Sequence, residues 1–197
     1  MLALVGRMGQ EFGAKHALRA HVAAARAART AEERAALAAV LAERVLALPE
    51  VASARVVAAY VGVGTELPTL PLLDALRARG AVVLLPVLRA DDSLAWGVYD
   101  GTLVEGRRGL LEPGGSGASL GDADVVVVPG VAYDAAGRRL GRGGGSYDRA
   151  LAAVTAPVVA PAPDDEVVDA VPVEPHDRPV DVVVTPSRVL RRELRRD

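Results

Sequence analysis

The segment from Val125 to Arg149 constrains this chain more than any other part of it. Four valines, Val125 to Val128, run into Pro129-Gly130 as a buried strand runs into a turn. Further on, Gly143-Gly144-Gly145 stand directly ahead of a stretch that predicts a helix from Ser146 to about Val154. Glycines between a strand and a helix leave backbone N–H groups free to converge, and the helix start adds unpaired donors and a positive dipole end. Arg138, Arg139, Arg142 and Arg149 surround the loop, and Asp148 follows it. Such a surface suits a polyphosphate and its Mg²⁺. A flexible surface loop is the plainer alternative. A Walker-type loop is excluded, because the chain has no Gly-Lys pair. The dinucleotide fingerprint needs a third glycine where Ser146 stands.

At 197 residues the chain is long enough for one domain with a substantial core. A formal net charge of −2 argues against a nucleic-acid partner. Without cysteine there are no disulfides and no thiolate metal sites. Leu2 to Val5 is too short for a signal-peptide core, and no stretch reaches membrane-spanning length, so a cytoplasmic protein with no membrane partner is expected. Of the 23 basic residues only Lys15 is a lysine. This singles it out as a compact point charge, although a solvated helix lysine is equally ordinary.

Gly13 to Arg29 predicts a helix with Lys15, Arg19 and Arg26 on one face, either a solvated row or one that reaches phosphates. Thr30 and Glu33 form a capping box for a second helix, running to about Leu48 and stopped by Pro49. Arg55–Val61, Ala81–Leu88, Leu94–Tyr99, Val125–Val128, Pro157–Ala160 and Asp181–Thr185 read as strands, and Leu67–Arg79 as a helix ended by Gly80. Glu112 to Gly121 reads as loop. Strands alternating with helices predict a single α/β domain with a mainly parallel sheet flanked by helices in three layers. Ligands in such sheets bind beyond the carboxyl ends of the strands.

These residues carry a resemblance. Pro129-Gly130-Val131-Ala132-Tyr133-Asp134, Gly137, Arg139-Leu140-Gly141-Arg142-Gly143-Gly144-Gly145 and Tyr147-Asp148-Arg149 together are similar to the core motif of the 5-formyltetrahydrofolate cyclo-ligase family. Lys15 with Leu18-Arg19, Tyr60 followed by Glu66 and Thr69, Glu112-Pro113, and Val171 to Asp177 ahead of Asp181 extend it over residues 14 to 187. Residues 1 to 13 would be an N-terminal extension and 188 to 197 a basic C-terminal tail. The family commonly has Tyr-Tyr-Asp after the glycines; this chain has Ser146-Tyr147-Asp148.

The resemblance implies a three-layer fold of the sugar-phosphate isomerase and CoA-transferase kind. It also implies ATP- and Mg²⁺-dependent closure of 5-formyltetrahydrofolate to 5,10-methenyltetrahydrofolate by a monomer, with release of ADP and phosphate. ATP would be bound by Lys15, Arg19, Arg139, Leu140, Gly141, Arg142, Gly143, Gly144, Gly145, Ser146 and Tyr147, with Arg142 catalytic. Asp148 and Asp181 would hold Mg²⁺. Val61, Glu66, Trp96 and Tyr147 would bind the folate. Ordinary alternatives stand beside these roles: Asp148 as a helix first-turn acid, Asp181 as a strand-edge residue, Glu66 as an exposed cap, Trp96 as core. Among His16, His21 and His176 there is no metal-ligand spacing, and His176 reads as a structural loop residue. A phosphate-binding isomerase or transferase, or a non-catalytic paralogue, would be the competing readings.

Overall fold

The computed structural model describes residues 2–174 and 177–193. In chain order the elements are α1 (Leu2–Ala28), α2 (Ala31–Leu46), α3 (Pro49–Ala52), β1 (Val56–Ala58), α4 (Leu70–Ala78), β2 (Val82–Leu88) and β3 (Leu94–Val98). Then come β4 (Leu103–Glu105), β5 (Leu111–Pro113), β6 (Val125–Val127), β7 (Ala132–Tyr133), β8 (Arg139–Leu140) and α5 (Ser146–Leu151). The chain closes with β9 (Val158–Pro161), β10 (Val182–Val184) and β11 (Val189–Arg191).

Seven strands form one sheet in the order β11-β10-β9-β6-β1-β2-β3. The five central strands are mutually parallel, while β3 and β11 close the edges antiparallel. Valine runs form these strands because both faces are covered. On one face Val57, Val83, Leu85, Val125, Val127 and Val159 pack against Leu41 and Val45 of α2, Val51 of α3 and Leu73 and Leu76 of α4. On the other, Ala58, Leu84, Val126, Val128, Val158 and Val183 pack against Leu151 of α5, Tyr133 and Trp96. The expected three-layer α/β domain is therefore what forms. No helix among the described residues is long and apolar enough to cross a membrane.

The capping box at Thr30 and Glu33 is present with both of its bonds. The second helix ends at Leu46, earlier than expected, because proline suits a first helical position and Pro49 starts the separate turn α3. Residues 112 to 121 are not all loop. Leu111–Pro113 pairs with β4, and the buried Glu112 accepts the Leu88 N–H at 2.9 Å, tying the hairpin to the end of β2. The first residues expected in a basic tail form β11, and Arg191 pairs with Glu50 at 3.0 Å. Arg195 and Arg196 lie outside the described residues.

Helix α1 packs on the β7–β8 hairpin through Leu18 and Val22, which meet Val131, Ala132, Leu140 and Val171. That hairpin follows the carboxyl end of β6, so α1 is held beside the carboxyl ends of the parallel strands. The Tyr133 hydroxyl is buried there with no hydrogen-bond partner among the described residues. A buried unpaired hydroxyl costs about 1–3 kcal/mol. Tyr133→Phe is therefore expected to leave the melting temperature unchanged or raise it; a clear drop in a thermal melt would mean that the hydroxyl has a hydrogen-bond partner.

Candidate active site

A cleft of about 660 Å³ opens beyond the carboxyl ends of β1, β2 and β6, where a parallel sheet is expected to take its ligand. One wall is the glycine loop, Leu140 to Asp148, with Lys15 and Arg19 of α1 beside it. The other is apolar: Val61, Val63, Pro86, Leu88, Leu94, Leu110 and Leu111, with Glu66 set among them.

The glycine wall is shaped by backbone conformations that side chains rarely adopt. Gly143 has φ +107° and Gly145, the residue that caps α5, has φ +65°. The Arg19 guanidinium donates to the Gly141 carbonyl at 2.9 Å, fixing the loop's first turn to α1. Ser146 donates its hydroxyl to the Asp92 carbonyl at 2.7 Å, and Arg149 donates to the same oxygen at 2.9 Å. The serine that departs from the family pattern thus anchors the start of α5 to the turn between β2 and β3. Leu140 lends the cleft its backbone while its side chain sits in the small core under α1.

Lys15 is not a solvated helix lysine. It is 8% exposed, with its Nζ 3.0 Å from Asp177 and 3.4 Å from Glu174. His176 lies outside the described residues. Glu66 is likewise no exposed cap: it is buried in a turn four residues ahead of α4. Its Oε2 accepts the Val63 N–H at 3.0 Å. Gly62 makes this turn possible, since a Cβ there would stand 2.0 Å from the Leu67 carbonyl oxygen. Thr69 seals it, accepting the Gly62 N–H and donating to the Tyr60 carbonyl.

The two walls meet. Arg142, its side chain 59% exposed, reaches from the glycine loop to place Nη2 2.8 Å from Glu66 Oε1. The loop's exposed arginine and the buried acid of the apolar wall are therefore in direct contact at the cleft, bridging its two walls.

Arg139 differs from its neighbour. It is buried, pairs through Nη2 with Asp148 Oδ1 at 2.6 Å, donates to the Pro129 carbonyl at 3.2 Å, and lies 6.0 Å from the centre of the Tyr147 ring. It lines the cleft while orienting Asp148 and the loop. The Oδ2 atom of Asp148 has no hydrogen-bond partner among the described residues.

Two expected site residues are elsewhere. Asp181 precedes β10 and so stands at the amino end of the parallel strands, opposite the cleft. There its Oδ2 accepts the Val158 N–H at 2.9 Å and its Oδ1 pairs with Arg192 at 3.2 Å. It fastens strand starts and is not brought to Asp148. Trp96, on β3, packs with Ala58, Leu84 and Val126 and takes no part in the cleft wall; burial of a large ring in the core prevailed.

Among the described residues no three histidine, aspartate or glutamate side chains converge. Mg²⁺ commonly uses one or two carboxylates and completes its shell with phosphates and water. Asp148, the carboxylate beside the glycine loop, fits that donor set for a cation that arrives on a polyphosphate.

A family model described as the 5-formyltetrahydrofolate cyclo-ligase family matches residues 11–186. The chain belongs to this family. It is 49% identical over 143 residues to a 5-formyltetrahydrofolate cyclo-ligase of Mycolicibacterium smegmatis, an alignment that covers 67% of this chain and 74% of that one. Against the Escherichia coli K12 cyclo-ligase the identity is 39% over 144 residues, covering 68% and 79%. The solution structure of Aquifex aeolicus 5,10-methenyltetrahydrofolate synthetase superposes with a TM-score of 0.82 at 31% identity, covering 93% of this chain and 95% of that one. A Mycoplasma pneumoniae synthetase at 20% identity (TM-score 0.68, covering 91% and 99%) shares the fold. This chain is thus an enzyme of the cyclo-ligase family, and the Arg142–Glu66 pair lies in the cleft of that family's fold.

Several site residues had no separate signal in the sequence. Glu174 and Asp177 sit in the recognised Val171–Asp177 segment, but nothing marked them as the partners of Lys15. Asp92, a turn residue with φ +61°, carries no signal at all.

Burial is the leading cause that pushes the phenols of Tyr60, Tyr133 and Tyr147 above the ordinary tyrosine range, and the charge of Glu66 adds to it at all three. A folded-state pKa above the unfolded value favours the protonated form. The stability it contributes is complete below the ordinary value of 10.0 and is lost as the pH rises past it. The melting temperature should therefore stay level between about pH 7 and about pH 9 on this account and fall from about pH 10 upward. A melting temperature that stays level to about pH 12 would contradict the burial of these phenols.

Proposed function

We propose that this enzyme converts 5-formyltetrahydrofolate to 5,10-methenyltetrahydrofolate, spending ATP with Mg²⁺ and releasing ADP and phosphate. The observation that carries the reading is the 2.8 Å approach of Arg142 to Glu66. It joins a phosphate-suited wall to an apolar wall holding one acid, so that a nucleotide's terminal phosphate and a folate's reacting end would meet between them. The relatives named above carry the names 5-formyltetrahydrofolate cyclo-ligase and 5,10-methenyltetrahydrofolate synthetase, which supports the same substrate and product here.

The chemistry explains why both walls are needed. Attack by N10 on the formyl carbon must expel an oxygen that is a poor leaving group. Transfer of the γ-phosphoryl group to that oxygen gives an imidate phosphate. N10 then attacks the carbon, and the C–O bond breaks with phosphate leaving. Phosphoryl transfer asks the protein chiefly for positioning and charge neutralisation. The backbone N–H groups of Gly143 to Gly145 would line the triphosphate, with Lys15 and Arg19 completing its cradle from α1. Arg142 is the candidate to neutralise charge on the transferring group. Bound beside Asp148, Mg²⁺ would neutralise phosphate charge. Glu66 can accept the N–H groups of the pterin as a fixed acceptor pair, with Val61 and the Tyr147 ring beside the folate. Each wall comes from a single chain, so a monomer suffices. With no cysteine and no membrane-spanning helix among the described residues, we place the enzyme in the cytoplasm.

The direct test follows the methenyl product's near-ultraviolet band in a mixture of enzyme, 5-formyltetrahydrofolate, ATP and Mg²⁺. A rise that needs both ATP and Mg²⁺ is expected; no rise would overturn the reading. Arg142→Ala should lower kcat about 10²- to 10³-fold, the scale of one lost oxyanion donor. Lys15→Ala should raise the KM for ATP about tenfold or more, since it removes a charged donor from the cleft wall. Glu66→Gln should raise the folate KM and leave ATP affinity unchanged. A normal kcat in Arg142→Ala would show that the loop arginine has no part in the transfer.

A further inference from the structure

One member of the α1 cationic row is left unused by this chemistry. Arg26 lies outside the cleft wall and is buried against Glu166, itself 2% exposed. Arg26 Nε donates to Oε1 at 2.8 Å and Nη2 to Oε2 at 2.7 Å, a fork on a carboxylate. The same Nη2 donates to the Gly130 carbonyl at 2.7 Å. The preceding carbonyl, that of Pro129, accepts from Arg139, which holds Asp148 Oδ1 at 2.6 Å. Two successive carbonyls of one turn are therefore held by two buried guanidinium groups, one of which carries the cleft's candidate cation ligand.

The turn has little freedom to move. A Cβ on Gly130 would stand 2.4 Å from the Tyr133 hydroxyl, so the backbone is pressed against that ring. Glu166 is fixed in its turn by Arg29 at 3.2 Å. The chain of contacts Glu166, Arg26, Gly130-Pro129, Arg139, Asp148 is continuous from the base of α1 to the cleft.

We infer that the Arg26–Glu166 pair is a positioning device for Asp148, setting it where it meets the divalent cation carried by the nucleotide. This rests on the reading of the glycine loop as the ATP site. Arginine suits the site because two of its nitrogens grip both oxygens of Glu166 in one plane while Nη2 also reaches the Gly130 carbonyl. A lysine ammonium, with its donors on one nitrogen, lacks that planar fork. Outer partners of a metal ligand commonly control metal affinity by 10- to 100-fold.

The test is calorimetric binding of a non-hydrolysable ATP analogue, once with Mg²⁺ and once with a chelator, to the wild type and to Arg26→Lys. The variant should bind the Mg²⁺ complex about tenfold more weakly and the metal-free analogue as the wild type does. The double variant Arg26→Gln with Glu166→Gln removes both buried charges together and carries the same expectation should Arg26→Lys fail to fold. Circular dichroism checks that each variant is folded. Wild-type affinity for the Mg²⁺ complex in a folded variant would overturn the inference, as would an equal loss with and without the metal. No binding of the analogue by the wild type would instead remove the ATP-site reading, and this inference with it.

Discussion

The carboxyl ends of the parallel strands leave loops whose carbonyls and carboxylates need donors, and α1 supplies them together with Arg29 just beyond its end. Arg19 takes the Gly141 carbonyl; Arg26 takes Gly130 and Glu166; Arg29 takes Glu166 and Asp165; Lys15 takes Asp177 and Glu174. The cleft owes its shape to this arrangement. Taking one partner from a buried ion pair commonly costs about 3–5 kcal/mol, because the remaining charge is left in a low dielectric. Such contacts make α1 part of the site's frame, and the loops it ties cannot drift independently.

The bridge between Arg142 and Glu66 is of another kind. Glu66 is buried and held by the Val63 N–H, whereas Arg142 is mostly in solvent on a glycine-flanked loop. The acid is the fixed member and the arginine the movable one. A pair with one exposed partner gains little net energy, since solvent screens the attraction and the long side chain loses freedom. It can therefore open at small cost when a triphosphate offers Arg142 more charge than one carboxylate does. A buried pair such as Arg26–Glu166 has no such freedom. The mobile pair, Arg142–Glu66, faces the space for ligand, and the rigid Arg26–Glu166 pair lies behind the cleft wall.

Much of this was legible in the sequence, because strong local patterns decide it. Valine runs fix buried parallel strands, Thr30 and Glu33 fix a helix start, and the glycine triplet with its arginines fixes a phosphate-suited loop. What local pattern cannot supply is which end of the sheet a residue occupies. Asp181 and Asp148 look alike as acids beside strand or helix, yet Asp181 precedes its strand while Asp148 follows the loop beyond one. In a parallel sheet that difference puts them at opposite ends of the molecule. Trp96 was ambiguous for a related reason: period-two alternation shows that it has a face, but not whether that face lines a cavity or fills the core. Arg26 was visible as part of a row, but its partner Glu166 is 140 residues away in sequence, and only the fold brings them together.

With Asp181 placed elsewhere, Asp148 is the carboxylate that the start of α5 offers to the cleft, while Glu66 is engaged by Arg142, and Glu174 and Asp177 by Lys15. This bears on how a cation is held. Mg²⁺ gives up its water reluctantly and is commonly held by one or two carboxylates together with substrate phosphates, not by a cage of protein ligands. In this cleft its affinity would reside mainly in the phosphates, with Asp148 fixing where the metal–nucleotide complex sits. Position then matters more than basicity, since a single ligand cannot average out its own displacement. On the proposed reading, that gives functional weight to the anchoring of Asp148 by Arg139 and of Arg139's turn by Arg26. The buried charge of Arg26, Glu166 and Arg139 would on that reading hold one oxygen donor in place, and the binding of the metal itself would be left to the nucleotide that brings it.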